Sequence, residues 1–231
     1  MILLNGKDWN STYTNTKNKS NEIINTIYKL KIILLGNSGV GKTSVLKRYM
    51  NEGFDKDVKC TINAEYHNKT IIIDSSNTAN ICIWDTCGCE KYKSLTNQYF
   101  INTHGVILMY DVCNEESFND LNEWLDEIKN NTNYEEVSIV LVGNKVDSKD
   151  RIISFEKASI FANNNYLTYI ETSAKEGLNI ETPFESVTKE IIQIIRRKAK
   201  FEKDINEKKS ITSTDAIRGK SFSQDKKTKC C

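Results

Sequence analysis

The aliphatic run Ile32-Ile-Leu-Leu35 stops at Gly36, and the chain continues Asn37-Ser-Gly-Val-Gly-Lys-Thr43. No other stretch constrains the fold as much. A buried strand that turns on glycines into a helix fits G-x-x-x-x-G-K-[ST] through Gly36, Gly41, Lys42 and Thr43. Glycines let successive backbone N–H groups turn inward around a phosphate, which makes Ser38, Gly39, Val40, Gly41 and Ser44 candidate contacts. The Lys42 ammonium would reach β- and γ-phosphates, and the Thr43 hydroxyl would ligate Mg²⁺. A helix beginning near Lys42 aims its positive end at the anion. Taken alone, the motif also suits a Gly-rich turn that binds nothing, so the remaining residues decide.

A chain of 231 residues is long enough for one domain with a sizeable core and tails. The net charge of +1 supplies no basic field for nucleic acid, although Lys226, Lys227 and Lys229 make the end locally basic. No apolar run approaches the length of a membrane span, and Met1-Ile-Leu-Leu4 is too short for a signal-peptide core, so a cytosolic setting is expected. The seven cysteines form no paired C-x-x-C array, and no histidine stands at ligand spacing. Cys87-Gly-Cys89 therefore reads as two thiols in a loop rather than a metal or redox pair.

Residues 1–26 are rich in Asn, Ser, Thr and Lys without sustained periodicity and read as a disordered arm. Residues 27–200 alternate strand and helix, and residues 201–231 read as a flexible tail. Strands are expected at about 29–35, 66–74, 80–85, 105–111, 137–143 and 167–171, with Ser75-Ser-Asn-Thr78 as a hairpin turn. Helices are expected after Lys42, around Phe118, Leu121, Leu125 and Ile128, at 154–163, and from Pro183 along Phe184, Val187, Ile191, Ile194 and Ile195. This alternation means an α/β fold: a mainly parallel six-stranded sheet with helices on both faces and one antiparallel edge pair. Ligands in such sheets sit beyond the C-terminal strand ends, where Gly36, Asp85, Asn144 and Glu171 converge.

Three more segments on that rim carry chemistry. Asp85-Thr-Cys-Gly88 follows a strand, so Asp85 can hold Mg²⁺ through its water shell, and the Gly88 amide can meet a γ-phosphate oxygen. Asn144-Lys-Val-Asp147 is more specific. One Asp147 carboxylate accepts from both N1–H and the 2-amino group of guanine, a donor pair that adenine lacks. The Lys145 stem can cover the base, and Asn144 can tie its loop to the phosphate loop. Ser173-Ala-Lys175 offers a backbone N–H to guanine O6 and a second aliphatic stem. Each short motif is a common surface turn by itself; their order, each after a strand, points to GTP.

With these motifs in hand the chain resembles a Rab-type small GTPase of the Ras superfamily, a P-loop NTPase, over about Tyr28 to Lys198. Carrying the resemblance are the phosphate loop, Thr61, Asp85-Thr-Cys-Gly88, Asn144-Lys-Val-Asp147 and Glu171-Thr-Ser-Ala-Lys175. Rab-like features are Thr61-Ile-Asn-Ala-Glu-Tyr66, Ile83-Trp-Asp-Thr86, Lys91-Tyr-Lys-Ser-Leu-Thr96, Tyr99-Phe-Ile-Asn-Thr-His-Gly105 and Tyr110-Asp-Val-Cys-Asn-Glu-Glu-Ser-Phe118. The chain ends Cys230-Cys231, like a Rab prenylation signal.

The resemblance implies a switch cycling between GTP and GDP with Mg²⁺, acting in vesicle traffic from the cytoplasmic face of an intracellular membrane, with a cytosolic pool. It assigns Thr61 to Mg²⁺ and the γ-phosphate, Phe54 to the edge of guanine, and Tyr66, Trp84 and Tyr99 to an aromatic trio read by effectors. Trp84 also suits ordinary half-buried core. Implied partners are effector proteins, an exchange factor, a GTPase-activating protein, the prenylation machinery and a lipid-extracting chaperone, for a monomer that binds no nucleic acid. Activators of the usual Rab type insert an arginine and a glutamine of their own. Four departures stand out: Asn37 for Asp, Asn63 for Gly, Cys87 for Ala, and Cys89 for the glutamine that orients the attacking water. The last makes a slow GTPase, with Lys42, Thr61, Gly88 and Cys89 around the reacting phosphate, or alternatively a GTP-binding scaffold that rarely hydrolyses. A P-loop nucleotide kinase is disfavoured, because arginines for a lid are sparse.

Overall fold

Residues 12–17, 23–55, 61, 65–86 and 98–218 are described by a computed structural model. Seven strands form one sheet: β1 (Tyr13–Lys17), β2 (Ile23–Leu35), β3 (Glu65–Asp74), β4 (Asn77–Asp85), β5 (Gly105–Asp111), β6 (Ser138–Asn144) and β7 (Thr168–Thr172). The order is β3-β4-β2-β5-β6-β7, with β1 also paired to β2. All neighbours from β4 to β7 are parallel, while β3 runs antiparallel to β4. The six expected strands are all present.

The seventh strand corrects the expectation of a disordered arm. Tyr13–Lys17 pairs antiparallel with β2 from Tyr28 back to Ile23, and β2 itself begins several residues before the aliphatic run. β4 pairs with β2 from Thr26 to Leu34, so β1 must use the other edge of β2. That edge is then completed by His104 opposite Lys31 and by β5 opposite Ile32–Leu35. Backbone donors of β2 that would otherwise face water thus find partners, which satisfies the segment without an apolar pattern in β1.

β5 and β6 are buried at every residue, because helices cover both faces of the sheet. On one face Ile33, Leu35, Val106, Leu108 and Tyr110 meet Phe118, Leu121, Trp124, Leu125, Ile128, Ala158 and Ala162. Those residues come from α2 (Glu115–Asn119), α3 (Leu121–Asn131) and α4 (Phe155–Asn164). The single helix expected around Phe118 is two, meeting at Asp120. Side chains alternate along a strand, so Leu30, Ile32 and Leu34 turn to the opposite face. There Tyr49 of α1 (Lys42–Tyr49) stacks on Phe184 at 3.9 Å. At Gly105 a side chain would collide with Val187 and Ile191.

The last helix, α5 (Glu181–Arg218), runs well past Lys200, where the apolar stripe fades. It is built of good helix formers and has no Gly or Pro between Phe184 and Arg218. Residues through Ile192 belong to the unit that contains the sheet, and those from Gln193 form a second unit. Among the described residues no helix is long and apolar enough to cross a membrane.

Candidate functional site

β2, β4, β6 and β7 end at one rim, and a cavity of ≈ 330 Å³ opens there. Its lining includes Ser38, Gly39, Gly41, Lys42, Thr43 and Ser44 from the phosphate loop and α1. Phe54 and Thr61 line it from the segment before β3, and Asn144, Lys145, Asp147, Ala174 and Lys175 line it after β6 and β7. Three residues that sequence reasoning did not single out, Asp55, Thr86 and Ser148, line it as well.

The loop geometry follows from its glycines. At Gly36, φ +130°, an added Cβ would lie 2.0 Å from the Met109 carbonyl oxygen, so strand β5 leaves room for nothing larger. At Gly41, φ +99°, a Cβ would strike the Asn144 amide. That amide donates to the Val40 carbonyl at 2.9 Å. The Asn144 carbonyl in turn accepts from the Thr172 hydroxyl at 3.1 Å. Asn144 therefore joins the phosphate loop to the end of β7. Val40 is buried and presents its carbonyl to Asn144, so its side chain does not line the cavity. The Lys42 ammonium donates to the carbonyls of Gly36 at 2.6 Å and Asn37 at 3.0 Å, which hold it at the mouth of the loop.

Three oxygens meet on one side of the cavity. The Thr43 hydroxyl donates to Asp85 Oδ2 at 2.5 Å and lies 2.9 Å from the Thr61 hydroxyl. Asp85 Oδ1 is buried with no hydrogen-bond partner among the described residues. Burial raises the Asp85 carboxyl above the ordinary carboxylate range, against the opposing pull of the Thr43 hydrogen bond and the Lys42 charge. A cation would relieve that burden. Two hydroxyls and a carboxylate are hard oxygen donors that suit Mg²⁺, so the residues fit the ion.

At the other end, the Ser173 hydroxyl donates to Asp147 Oδ1 at 2.6 Å, and Lys175 Nζ lies 3.5 Å from Asp147 Oδ2. Partial burial works against ionisation of Asp147, but the Ser173 hydroxyl, a backbone N–H and Lys175 outweigh it and hold the carboxyl below its usual range. Lys145 adopts φ +70° and places its ammonium 2.6 Å from Asp111 Oδ2. Arg48 of α1 donates to the carbonyls of Ala174 at 3.0 Å and Lys175 at 3.1 Å, fixing the last loop from outside. Asp111 ends β5 as Asp85 ends β4, a position that could have signalled it. Arg48 reads in sequence as one more cation in a last helical turn, and no signal marks it.

Outside the cavity, the aromatic trio is contiguous. Tyr66 and Trp84 have centroids 5.7 Å apart, and Trp84 and Tyr99 6.0 Å apart. Tyr66 is exposed, and Trp84 also packs against the core. Asn63, Cys87, Gly88, Cys89, Cys230 and Cys231 lie outside the described residues.

The sequence pattern of the Ras family matches residues 31–193. The chain is 37% identical over 172 residues to a protein of Lymnaea stagnalis named Ras-related protein Rab-18, covering 74% of this chain and 83% of that one. It is 38% identical to Ras-related protein RABA4d of Arabidopsis thaliana, over 74% of this chain and 77% of the relative. Against the GTP-binding protein YPT1 of Saccharomyces cerevisiae it is 38% identical, over 71% and 79%.

Proposed function

The chain belongs to the Ras family, as a Rab-type small GTPase, and from that premise we propose that it recruits effector proteins to an intracellular membrane while GTP is bound. It binds GTP and GDP with Mg²⁺, hydrolyses GTP, and regulates vesicle traffic with effectors, exchange factors and activating proteins as its kinds of partner.

The site residues carry the following roles in this proposal. Asp147 accepts from the guanine N1–H and 2-amino group, held ionised and oriented by Ser173 and Lys175. Lys145 and Lys175 cover the base, Phe54 meets its edge, and the Ala174 N–H faces O6. Backbone N–H groups from Ser38 to Ser44 cradle the phosphates beside Lys42. Thr43 and Thr61 would hold Mg²⁺ directly and Asp85 would hold it through water, and the ion would supply positive charge beside the phosphates. Water attacks the γ-phosphorus, and GDP leaves with the bridging oxygen. Tyr66, Trp84 and Tyr99 form the effector-reading surface. Lipids on Cys230 and Cys231, added by the prenylation machinery and masked by a lipid-extracting chaperone, hold the chain on the cytoplasmic face. A second reading, a GTP-bound scaffold that hydrolyses rarely, is favoured by Cys89 alone.

The observation that carries the assignment is Asp147 held by Ser173 and Lys175 at one end of the cavity, with the Thr43, Thr61 and Asp85 oxygens converging at the other. A nucleotide panel tests it. Wild type should bind GTP and GDP and reject ATP, while Asp147→Asn should weaken guanine by about 1–3 kcal/mol and improve xanthine, whose 2-oxo group is an acceptor. Unchanged GTP affinity in Asp147→Asn discards the assignment.

A further inference from the structure

We infer that Asn37 is a positioning residue for the bound phosphates, its side-chain amide gripped by Asp120 and Trp124 so that the phosphate loop keeps the shape that aims Lys42. The inference rests on the guanine-nucleotide reading above. The Trp124 indole N–H donates to Asn37 Oδ1 at 2.8 Å, and Asn37 Nδ2 donates to Asp120 Oδ2 at 2.6 Å. One amide thus meets two opposite demands. Trp124 is only 8% exposed and its nitrogen can only donate, so residue 37 must present an acceptor there. Asp120 is a carboxylate that can only accept, so residue 37 must also present a donor.

Asp120 and Trp124 are poised for this by α3. Asp120 stands where α2 ends and α3 begins, and the Trp124 backbone N–H donates to its carbonyl at 3.1 Å. Four residues apart, the two side chains share a helix face. The Asp120 side chain caps no helix N–H and is committed to Asn37 instead. On the loop side, the backbone carbonyl of the same Asn37 accepts from the Lys42 ammonium at 3.0 Å, next to the Gly36 carbonyl at 2.6 Å. Turning the Asn37 side chain away from α3 would move one of the two carbonyls that fix the cation. Gly36 is pinned against β5, and the Val40 end is held by Asn144, so Asn37 is the third fixed point of the loop.

The pairing requires a donor on one side and an acceptor on the other, which an amide and a carboxylate supply in either order. With Asn37→Asp, two carboxylates would stand at hydrogen-bond distance and ionise fully only at a cost, which makes the loop's grip depend on pH. With Asn37→Asp and Asp120→Asn together, the donor and acceptor exchange places, and the Trp124 N–H still finds an acceptor. The charged neighbours are Asp120 from α3 and the Lys42 ammonium from α1, besides the phosphates themselves.

The experiment measures release of fluorescently labelled GDP from the full chain in excess Mg²⁺ between about pH 6 and about pH 8.5. Wild type should release slowly with little pH dependence. Asn37→Asp should release about tenfold faster at the alkaline end, approaching wild type as the pair regains a shared proton. Asp120→Asn should stay within about threefold of wild type, because a turned amide still offers an acceptor to Asn37. The double variant should return to wild-type release with a flat profile. If Asn37→Asp does not fold, recovery of folding and slow release in the double variant supports the inference, and its failure overturns it. Wild type that binds no labelled GDP overturns the nucleotide reading and the inference with it. Wild type that binds, beside an Asn37→Asp protein that melts lower but releases at the wild-type rate at every pH, overturns the inference alone, since a merely structural bond behaves that way.

Discussion

Single residues at the base of this fold hold protons that the sequence does not advertise. His104 accepts the Lys31 backbone N–H on Nδ1 at 3.0 Å, so its proton sits on Nε2, and the His104 backbone N–H donates to the Lys31 carbonyl at 2.9 Å. Adding a second proton would set donor against donor in a buried place near the Lys31 ammonium. Burial first, and that charge second, hold the imidazole at about 4, below its usual 6.5. Burial also lowers Lys31 to about 8, though its ammonium still finds the Ile101 carbonyl at 2.7 Å. For His104 the folded value is the lower one, so the unfolded chain takes up a proton first as pH falls. Its stabilising contribution is complete above about 6.5 and disappears as pH drops through about 4. His104→Asn keeps an acceptor without a titrating group. Between those pH values wild type should lose up to about 3 kcal/mol relative to the variant in denaturant titrations. Parallel stability curves for the two proteins would show that His104 does not govern acid sensitivity.

At the scale of elements, β1 separates a structural role from a functional one. It pairs with β2 near Tyr28, eight residues before Gly36 and so roughly 25 Å along the strand from the phosphate loop. Its contribution is modest: backbone pairing, the Tyr13–Tyr28 ring contact at 6.1 Å, and two exposed side-chain bonds, Thr26 to Asn15 at 3.1 Å and Thr16 to the Asn25 carbonyl at 3.3 Å. Removing residues 1–17 should lower the melting temperature by roughly 2–8 °C and leave GDP affinity within about twofold. It should also open the β2 edge to association, visible as added mass in light scattering. A tenfold loss of GDP affinity would instead tie β1 to the site. The same strand marks the limit of sequence reading. β5 and β6 are legible because burial on both faces demands continuous apolar runs, Gly105-Val-Ile-Leu-Met-Tyr and Ser138-Ile-Val-Leu-Val. β1, Tyr-Thr-Asn-Thr-Lys, has no apolar alternation and is recognisable only through its partner. The α2–α3 break at Asp120 is hidden because Phe118, Leu121, Leu125 and Ile128 keep helical spacing across it. In the site, Thr43, Asp85, Asn144 and Asp147 are legible because their chemistry is bound to short spacings. Arg48, Asp120 and Trp124 are not, because their partners Ala174 and Asn37 lie 126, 83 and 87 residues away.

For the molecule as a whole, the length of time it stays in the GTP state sets how long it can hold partners. Thr61 meets Thr43 across the cavity rim, and strands β3 and β4 carry Tyr66 and Trp84 up to the same rim, so in the proposed switch an ordering of Thr61 on the γ-phosphate would also reach the aromatic surface. Hydrolysis ends that state, and its rate depends on a water held in line with the γ-phosphorus. By the resemblance drawn from the sequence, Cys89 takes the position of the glutamine that supplies this orientation. A glutamine offers a carbonyl acceptor and an amide donor, whereas a thiol is short and weak in both roles. Small GTPases with the glutamine turn over at about 10⁻⁴ to 10⁻³ s⁻¹ unaided, and this chain should be slower. Cys89→Gln should raise the unaided single-turnover rate by about three- to tenfold, a gain of about 1 kcal/mol in transition-state stabilisation. An activator that brings its own arginine and glutamine should accelerate both proteins to similar rates, because it replaces what Cys89 lacks. Cys87→Ala belongs beside it, alone and in combination, since neighbouring positions rarely act independently. Should wild type hydrolyse GTP unaided as fast as Cys89→Gln, the thiol is no handicap. Should neither protein respond to any compatible activator, the scaffold reading replaces the timed switch.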